Sequence, residues 1–372
     1  MAFELSAVLD VKTGVEASGR MAEQLDRSTT LVVVDGMLVD TPGLGPLMDA
    51  GTVMAVAAGE PTVASVQALA DRARSQSAST VVAIGGGSAL DTGKITAAML
   101  GHSAPVTDFL LCANPVQRSV RLIAVPTTAG SGAEVTRTCV LSHEGRKSWM
   151  WDEALVPDTV VLDPTLTVGM PEAVTVATGL DAFVHAVEAF TNVNRDNVAD
   201  KAALAAIATI PTALPRVVAI PEDIEGRRAM LESATTAGVA IDRCNTALAH
   251  CVGHAIAGFS KIPHGLAVAL GLRATVRWSI EGDPDRYAAV AGAMQPGRSL
   301  DALVDLVDEL YEAVGFEAVL RRYTSDLLDP VALAAAMDTD ENRGMAAANA
   351  RAPRAGELLD IAGMVTAIWN RP

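Results

Sequence analysis

Three of the six histidines in this 372-residue chain fall in one stretch, A-H-C-V-G-H-A-I-A-G-F-S-K-I-P-H-G, from Ala249 to Gly265. His250 and His254 are four residues apart, which places both on one face of a helix. His264 stands between Pro263 and Gly265, a pair that ends a helix and turns the chain. Upstream, G-L-D-A-F-V-H-A-V-E-A-F repeats the arrangement, with Asp181 and His185 four apart on an apolar helix. A single histidine on such a face is ordinarily a packed core residue, and an aspartate a helix cap. Burying several imidazoles and a carboxylate together without partners is costly. One shared cation would satisfy them all. An Asp oxygen with three imidazole nitrogens suits Fe(II) or Zn(II) rather than magnesium or calcium.

A second chemical signal lies in V-V-A-I-G-G-G-S-A-L-D-T-G-K, where Gly85-Gly86-Gly87-Ser88 separates a strand from a helix. Backbone amides at such a helix start can hold a diphosphate, and glycine lets the phosphate approach the backbone. Ser88 is expected to act as N-cap and phosphate donor. The loop is neither the G-x-G-x-x-G fingerprint nor a P-loop, so a simple tight turn remains the other reading. Asp35, closing the strand T-L-V-V-V-D, is positioned to accept ribose hydroxyls and to repel a 2′-phosphate, favouring NAD over NADP. A strand-ending Asp in a turn is the plain alternative. Thr127, Thr128 and Ser131 offer hydroxyls in a second small-residue loop, P-T-T-A-G-S-G. Lys147 is the nearest downstream cation for a diphosphate, although a lone lysine is usually a solvated one.

The elements that must position these groups change character along the chain. Strands at 30–35, 53–58, 81–84 and 122–125 alternate with helical stretches, including 63–75 and one starting at Ser88. That pattern predicts a parallel α/β sheet with its ligand at the carboxyl ends of the strands. After Pro171 long Ala-rich helical windows dominate and no convincing strand appears. The expected division is an α/β dinucleotide-binding domain over 1–168 and an all-helical metal-binding and substrate domain over 169–372. At 372 residues the chain is comfortable for two domains.

Hydrophobic content of 50% and charged content of 19% mark a globular chain, and 3% aromatics leave the core to Ala, Val, Leu and Ile. A formal charge of -16 argues against a phosphate-backbone partner, which needs a basic surface. The N-terminal stretch M-A-F-E-L-S-A-V-L-D has no basic region followed by an apolar one, so no signal peptide is expected. No uninterrupted apolar run reaches the ~18 residues of a membrane span; the longest, 202–219, contains Pro211, Pro215 and Arg216. Four scattered cysteines without a C-x-x-C pair are consistent with reduced thiols, and a cytoplasmic location is the expectation.

Together these motifs resemble the iron-containing (group III) alcohol dehydrogenase family, whose relatives include glycerol dehydrogenase and dehydroquinate synthase. G-G-G-S-A-L-D-T-G-K is similar to that family's phosphate loop, and P-T-T-A-G-S-G-A-E-V-T to its second loop. G-L-D-A-F-V-H-A-V-E and H-C-V-G-H-A-I-A-G-F-S-K-I-P-H-G resemble its two metal motifs. The resemblance spans roughly residues 30 to 280. It implies a dehydroquinate synthase-like fold, NAD and Fe(II) or Zn(II) as cofactors, and a homodimer. It also implies metal ligands Asp181, His185, His250 and His264, with His254 as an extra active-site histidine close to the metal. Gly86, Gly87, Ser88 and Asp91 fall in the diphosphate loop, Thr127 and Thr128 beside the nicotinamide, Lys147 on the nucleotide, and Asp35 at the position that goes with NAD.

The implied reaction is reversible, NAD-linked interconversion of an alcohol and an aldehyde or ketone, with the cation as Lewis acid and His254 as proton relay. Departures from the family pattern occur at Arg243, Arg273 and the segment A-N-A-R-A-P-R. With Arg146, Lys261 or Arg273 near Arg243, these raise an acidic aldehyde, carrying a carboxylate or phosphonate, as the substrate. A metal- and NAD-dependent lyase of the dehydroquinate synthase type and a non-catalytic binding protein on the same fold are the alternatives. Trp149 and Trp151 are expected to pack rather than to bind nucleotide.

Overall fold

The computed structural model describes residues 10–354 and 356–371, and the N-terminal decapeptide read above for a signal sequence lies almost wholly outside them. The chain folds as two compact units, Met1–Gly169 and Met170–Pro372.

The first unit is built on a parallel sheet of β1 (Asp10–Thr13), β2 (Thr30–Asp35), β3 (Thr52–Val56), β4 (Thr80–Gly85), β5 (Arg121–Pro126) and β8 (Thr159–Leu162), in the order β1-β8-β5-β4-β2-β3. Central strands made of consecutive Val, Ile, Leu and Ala are what a sheet covered on both faces requires. Alternation assigns the faces. Val32, Val34, Val82, Ile84, Ile123 and Val125 pack on one side with Met21 of α1 (Ala17–Ala22) and Leu47 of α2 (Gly45–Asp49). Leu31, Val33, Val81, Ala83, Leu122 and Ala124 pack on the other with Leu69 of α3 (Val63–Arg74) and Leu90 of α4 (Gly87–Met99). The register sets Ile84 beside both Val34 and Val125, and Gly85 beside Pro126. Asp35, the glycine turn and the Thr127 loop therefore follow the carboxyl ends of three adjacent strands.

The sequence reading missed β1, β8 and the antiparallel hairpin of β6 (Thr138–His143) and β7 (Arg146–Trp151). The hairpin turns through Glu144 (φ 50°) and Gly145 (φ 76°), a two-residue turn with both central residues left-handed, as strand twist prefers. Its inner residues Cys139, Leu141 and Met150 pack on Val66 and Ile95, while Trp149 and Trp151 point outward. The two tryptophans are thus half-exposed rather than packed; Trp151 carries the Arg137 guanidinium 4.5 Å from its ring centroid. Lys94 of α4 is fully buried and donates to the carbonyls of Ala133 (2.9 Å), Thr136 (2.8 Å) and Thr138 (2.8 Å).

The second unit is helical throughout its described residues: α5 (Glu172–Thr191), α6 (Asn197–Ala219), α7 (Ile224–Cys244), α8 (Leu248–Ala257), α9 (His264–Ser279), α10 (Pro284–Met294), α11 (Leu303–Ala313), α12 (Phe316–Leu320), α13 (Pro330–Met337), α14 (Asp340–Ala348) and α15 (Glu357–Trp369). The view that no segment matches a membrane span needs correcting by length and composition. The helices α5 and α6 are both long and apolar enough, α6 running through Pro211 and Pro215. The most apolar window of α5 is 83% buried inside the unit, as for the central helix of a packed bundle. Two glycines let the helices around it meet backbone to backbone. A Cβ on Gly265 would lie 2.1 Å from the Ala177 carbonyl oxygen of α5, and one on Gly271 2.5 Å from that of Ala249 in α8.

Removing the Lys94 ammonium would leave the Asp91 carboxylate, 3.7 Å away and buried, without its counter-charge. We expect Lys94→Met to cost about 3–5 kcal/mol in denaturant unfolding. A loss below ~1 kcal/mol would show that the cage adds nothing to the fold.

Candidate functional site

The metal-type residues converge within the helical unit. Asp181 and His185 are one turn apart on α5, His250 lies in the first turn of α8, and His264 is the first residue of α9 after Pro263. Single donor atoms of Asp181, His250 and His264 lie within 4.8 Å of one another. His250 Nε2 is 3.8 Å and His264 Nε2 4.0 Å from Asp181 Oδ1. His185 closes the group, its Nε2 being 3.9 Å from Asp181 Oδ1 and 3.1 Å from His250 Nε2. The close approach of Gly265 to Ala177 fixes where α9 starts against α5, and so holds His264 in reach of Asp181.

Asp181 Oδ1 and His185 Nδ1 are buried and make no hydrogen bond. An uncompensated carboxylate oxygen facing three imidazole nitrogens is costly in an apolar bundle. A divalent cation would satisfy that oxygen and the three facing nitrogens at once. One oxygen with three nitrogens is a donor set for Fe(II) or Zn(II), so the residues present fit the expected ion. His254, half-buried one turn along α8, lies beside the group, its ring centroid 5.4 Å from that of His264.

The sequence reading missed Glu188. It is buried on the same face of α5, and its Oε2 lies 2.6 Å from His250 Nδ1. The same carboxylate accepts from the amides of Ala247 (2.8 Å), Ala249 (2.6 Å) and His250 (3.2 Å). Burial pushes its pKa up to about 7, against the pull of those amides. The signal was present in G-L-D-A-F-V-H-A-V-E-A-F, because Glu188 follows Asp181 by seven residues and His185 by three.

In the α/β unit the glycine loop is as expected in position and different in detail. Gly86, not Ser88, is the N-cap of α4, and Ser88 sits within its first turn. The first-turn amides of α4 remain available to an anion. Gly85 (φ 143°) needs to be glycine for its backbone. Gly86 and Gly87 sit close to the second loop: their Cβ atoms would come 3.3 Å from Thr128 Oγ1 and 2.8 Å from Ser131 Oγ, so those hydroxyls would have to move. Thr127 donates its amide to the Gly85 carbonyl at 3.0 Å, completing the seam between the two loops. Asp35 lies alongside, near enough that a Cβ on Gly85 would be 3.2 Å from its own, and it accepts from the Met37 amide at 3.0 Å. The turn-capping and ribose-binding readings of Asp35 therefore coexist, since capping uses Oδ1 alone.

Asp91, read as part of this loop, and Lys147, read as a nucleotide contact, each have a protein partner. Asp91 is buried, with Oδ2 accepting from the Val140 amide at 2.9 Å, and burial lifts its pKa to about 6. It ties α4 to the hairpin. Lys147 lies 3.5 Å from Glu60. The arginines proposed to greet an acidic substrate are also engaged. Arg243 donates to Asp196 at 2.7 Å, a hydrogen bond that draws the Asp196 pKa down to about 2. Arg273 donates to Asp308 and Glu317, each at 3.0 Å.

Comparison with known proteins decides the family. The profile described as iron-containing alcohol dehydrogenase matches residues 10–164, and the C-terminal profile of the Fe-containing alcohol dehydrogenase family matches residues 175–360. The chain belongs to the iron-containing alcohol dehydrogenase family. It is 30% identical over 335 residues to the sulfoacetaldehyde reductase of Bilophila wadsworthia, covering 85% of each chain. It is 31% identical over 287 residues to the NAD-dependent methanol dehydrogenase of Bacillus methanolicus, covering 74% of this chain and 75% of that one. Among solved structures, the iron-containing alcohol dehydrogenase of Thermococcus thioreducens superimposes with a TM-score of 0.84 at 26% identity, over 98% of this chain and all of that one. Membership makes the chain an NAD-linked oxidoreductase with a metal centre.

If the Asp181 group holds a cation, a divalent transition metal stabilises the fold by mass action. The gain is about 2.7 kcal/mol at a free metal concentration 100 times the dissociation constant. We expect a saturable rise in the thermal midpoint on adding Zn(II) or Co(II), and none in Asp181→Asn. An equal rise in both proteins would place the metal elsewhere.

Proposed function

We propose that this family member interconverts an alcohol and its aldehyde or ketone with NAD, using Asp181, His185, His250 and His264 to hold Fe(II) or Zn(II). The observation that carries the proposal is the orphaned Asp181 Oδ1 facing the Nε2 atoms of three histidines from α5, α8 and α9. When bound, such an ion supplies Lewis-acid polarisation of the substrate oxygen. Apolar side chains of α5 and α8 pack around Asp181, His185 and His250, while His264 is exposed and gives the group an open side. His254 is half-buried next to His264, and its imidazole can hold and release the proton of the substrate hydroxyl.

The seam of Gly85–Ser88 with Thr127, Thr128 and Ser131 orients the dinucleotide, the first-turn amides of α4 taking the diphosphate. Asp35 receives the adenosine ribose and disfavours a 2′-phosphate. Family membership does not favour the lyase or the non-catalytic alternative.

We expect alcohols with NAD, or aldehydes with NADH, to change absorbance at the NADH band, and His264→Ala to abolish that change. Full turnover without His264 would remove the metal from the chemistry.

The acidic aldehyde is the finer reading. Its support is the likeness to a sulfoacetaldehyde reductase together with Lys261, which is exposed three residues before His264 and has no carboxylate partner among the described residues. Arg243 and Arg273 no longer support it, because their charges are met by Asp196, Asp308 and Glu317. We expect Lys261→Ala to raise KM for a sulfonated or carboxylated aldehyde about two- to fivefold, the size of one exposed ion pair. KM for a neutral aldehyde should be unchanged, and Arg243→Ala should leave both substrates unaffected. Equal KM shifts for charged and neutral substrates would sink the acidic reading.

A further inference from the structure

We infer that Glu188 is the positioning residue of the metal centre: it locks His250 in the Nδ1–H tautomer and sets the start of α8, so that Nε2 faces Asp181 and His185. The inference rests on the metal-centre reading above and extends it to a residue that does not itself touch the metal group.

Four polar residues lie along α5 and its C-cap. Asp181, His185, Glu188 and Asn192 are spaced four, three and four apart, so they form one stripe on a helix whose positions between Asp181 and Glu188 are otherwise apolar and buried. The stripe has two ends with two tasks. Asp181 and His185 face His250 Nε2 and His264, while Glu188 and Asn192 face the chain leading into α8.

That chain segment would not hold its shape unaided. Asn245 has φ 70° and ψ 169°, a region populated almost only by glycine. Asn192 Nδ2 donates to the Asn245 carbonyl at 2.8 Å. Two residues further on, the helix opens with no side-chain cap of its own. Glu188 fills that role from a neighbouring helix by accepting the Ala247, Ala249 and His250 amides. An anion at a helix N-terminus is favourable, and this one is buried against it.

The same carboxylate reaches the His250 ring. Ionised, Glu188 has three amide donors already aimed at it and accepts again from the ring N–H, so in that state the proton of neutral His250 sits on Nδ1. Its Nε2 lone pair then points to His185 Nε2 and Asp181 Oδ1, 3.1 and 3.8 Å away. A ligating imidazole held through its other nitrogen is oriented and made more basic, and loss of such a partner weakens metal binding 10–100-fold as a rule. His185 has no such partner, since its Nδ1 makes no hydrogen bond. The orientation of the centre therefore comes from the α8 side.

Glu188→Gln keeps the size of the side chain, but its amide NH2 must point at a backbone N–H or at His250 Nδ1, where only an acceptor fits. In the full chain, apparent Co(II) affinity measured by chelator competition should fall 10–100-fold in Glu188→Gln, with a changed visible ligand-field spectrum at saturation. His264→Ala serves as the ligand-loss control, and metal-free thermal unfolding of each variant is recorded alongside. Equal Co(II) affinity and spectrum in Glu188→Gln and the unchanged protein would overturn the inference, even if the metal-free midpoint fell. Failure of the unchanged protein to bind Co(II) would overturn the metal-centre reading itself. Should the variant not fold, 15N NMR of the unaltered metal-free protein decides, with His250 assigned by its replacement with Asn. The Nδ1–H tautomer supports the role and the Nε2–H tautomer overturns it.

Discussion

A buried carboxylate oxygen with nothing to bind it is the constraint around which the helical unit is organised. Asp181 stands midway along α5 among buried Val, Ala, Leu and Phe side chains, and its Oδ1 has three imidazoles around it and no donor upon it. In an apolar bundle that arrangement is unfavourable by several kcal/mol, and imidazole neighbours in their neutral form relieve it only in part. A bound cation would offset that cost, and the packing of the bundle keeps the four side chains near one another. Gly265 brings α9 onto the α5 backbone and Gly271 brings α8 onto α9. Three helices thereby bring donor atoms of Asp181, His250 and His264 within 4.8 Å of one another.

The α/β unit solves a different problem by equally close packing. Its strands end in register, so Asp35, Gly85 and the Thr127 loop emerge side by side without any long connection. Glycine in the phosphate loop is usually argued from the ligand's approach. Here Gly86 and Gly87 also lie close against Thr128 and Ser131, whose hydroxyls would have to shift to admit Cβ atoms. The two loops are one packed object. The buried Lys94 extends that object by gathering carbonyls of residues 133, 136 and 138 onto α4.

Much of this was readable before any coordinates. Valine-rich strands and Ala-rich helices have different periods, and the change near residue 170 separates them. The i,i+4 pairs of Asp181 with His185 and His250 with His254 announce shared faces, and a turn-borne His264 completes the donor set. What escaped had physical reasons. The hairpin at 138–151 turns on Glu144-Gly145 and carries its tryptophans outward, so neither a strong turn signal nor an inward aromatic pattern marked it. Ser88 looked like a cap because serine caps helices, but Gly86 precedes it in extended geometry and starts the helix two residues earlier. Asp91 and Lys147 find partners that lie far off in sequence, Val140 and Glu60, which no local pattern reveals.

The arginines show most clearly why charge alone does not locate a binding site. Arg243 and Arg273 stand out as departures from the family motifs, and in a chain of net charge -16 a cation near the ligand helices invites a functional reading. An excess of acids also means that any guanidinium finds carboxylates nearby, and both arginines do. Arg243 steadies the aspartate that caps α6, and Arg273 bridges α11 and α12 from α9. Glu188 is the reverse case: an acid in an acidic chain attracts no notice, yet burial among amides and an imidazole gives it a task few surface acids could perform. The informative property was not the sign of the charge but the number of donors aimed at it.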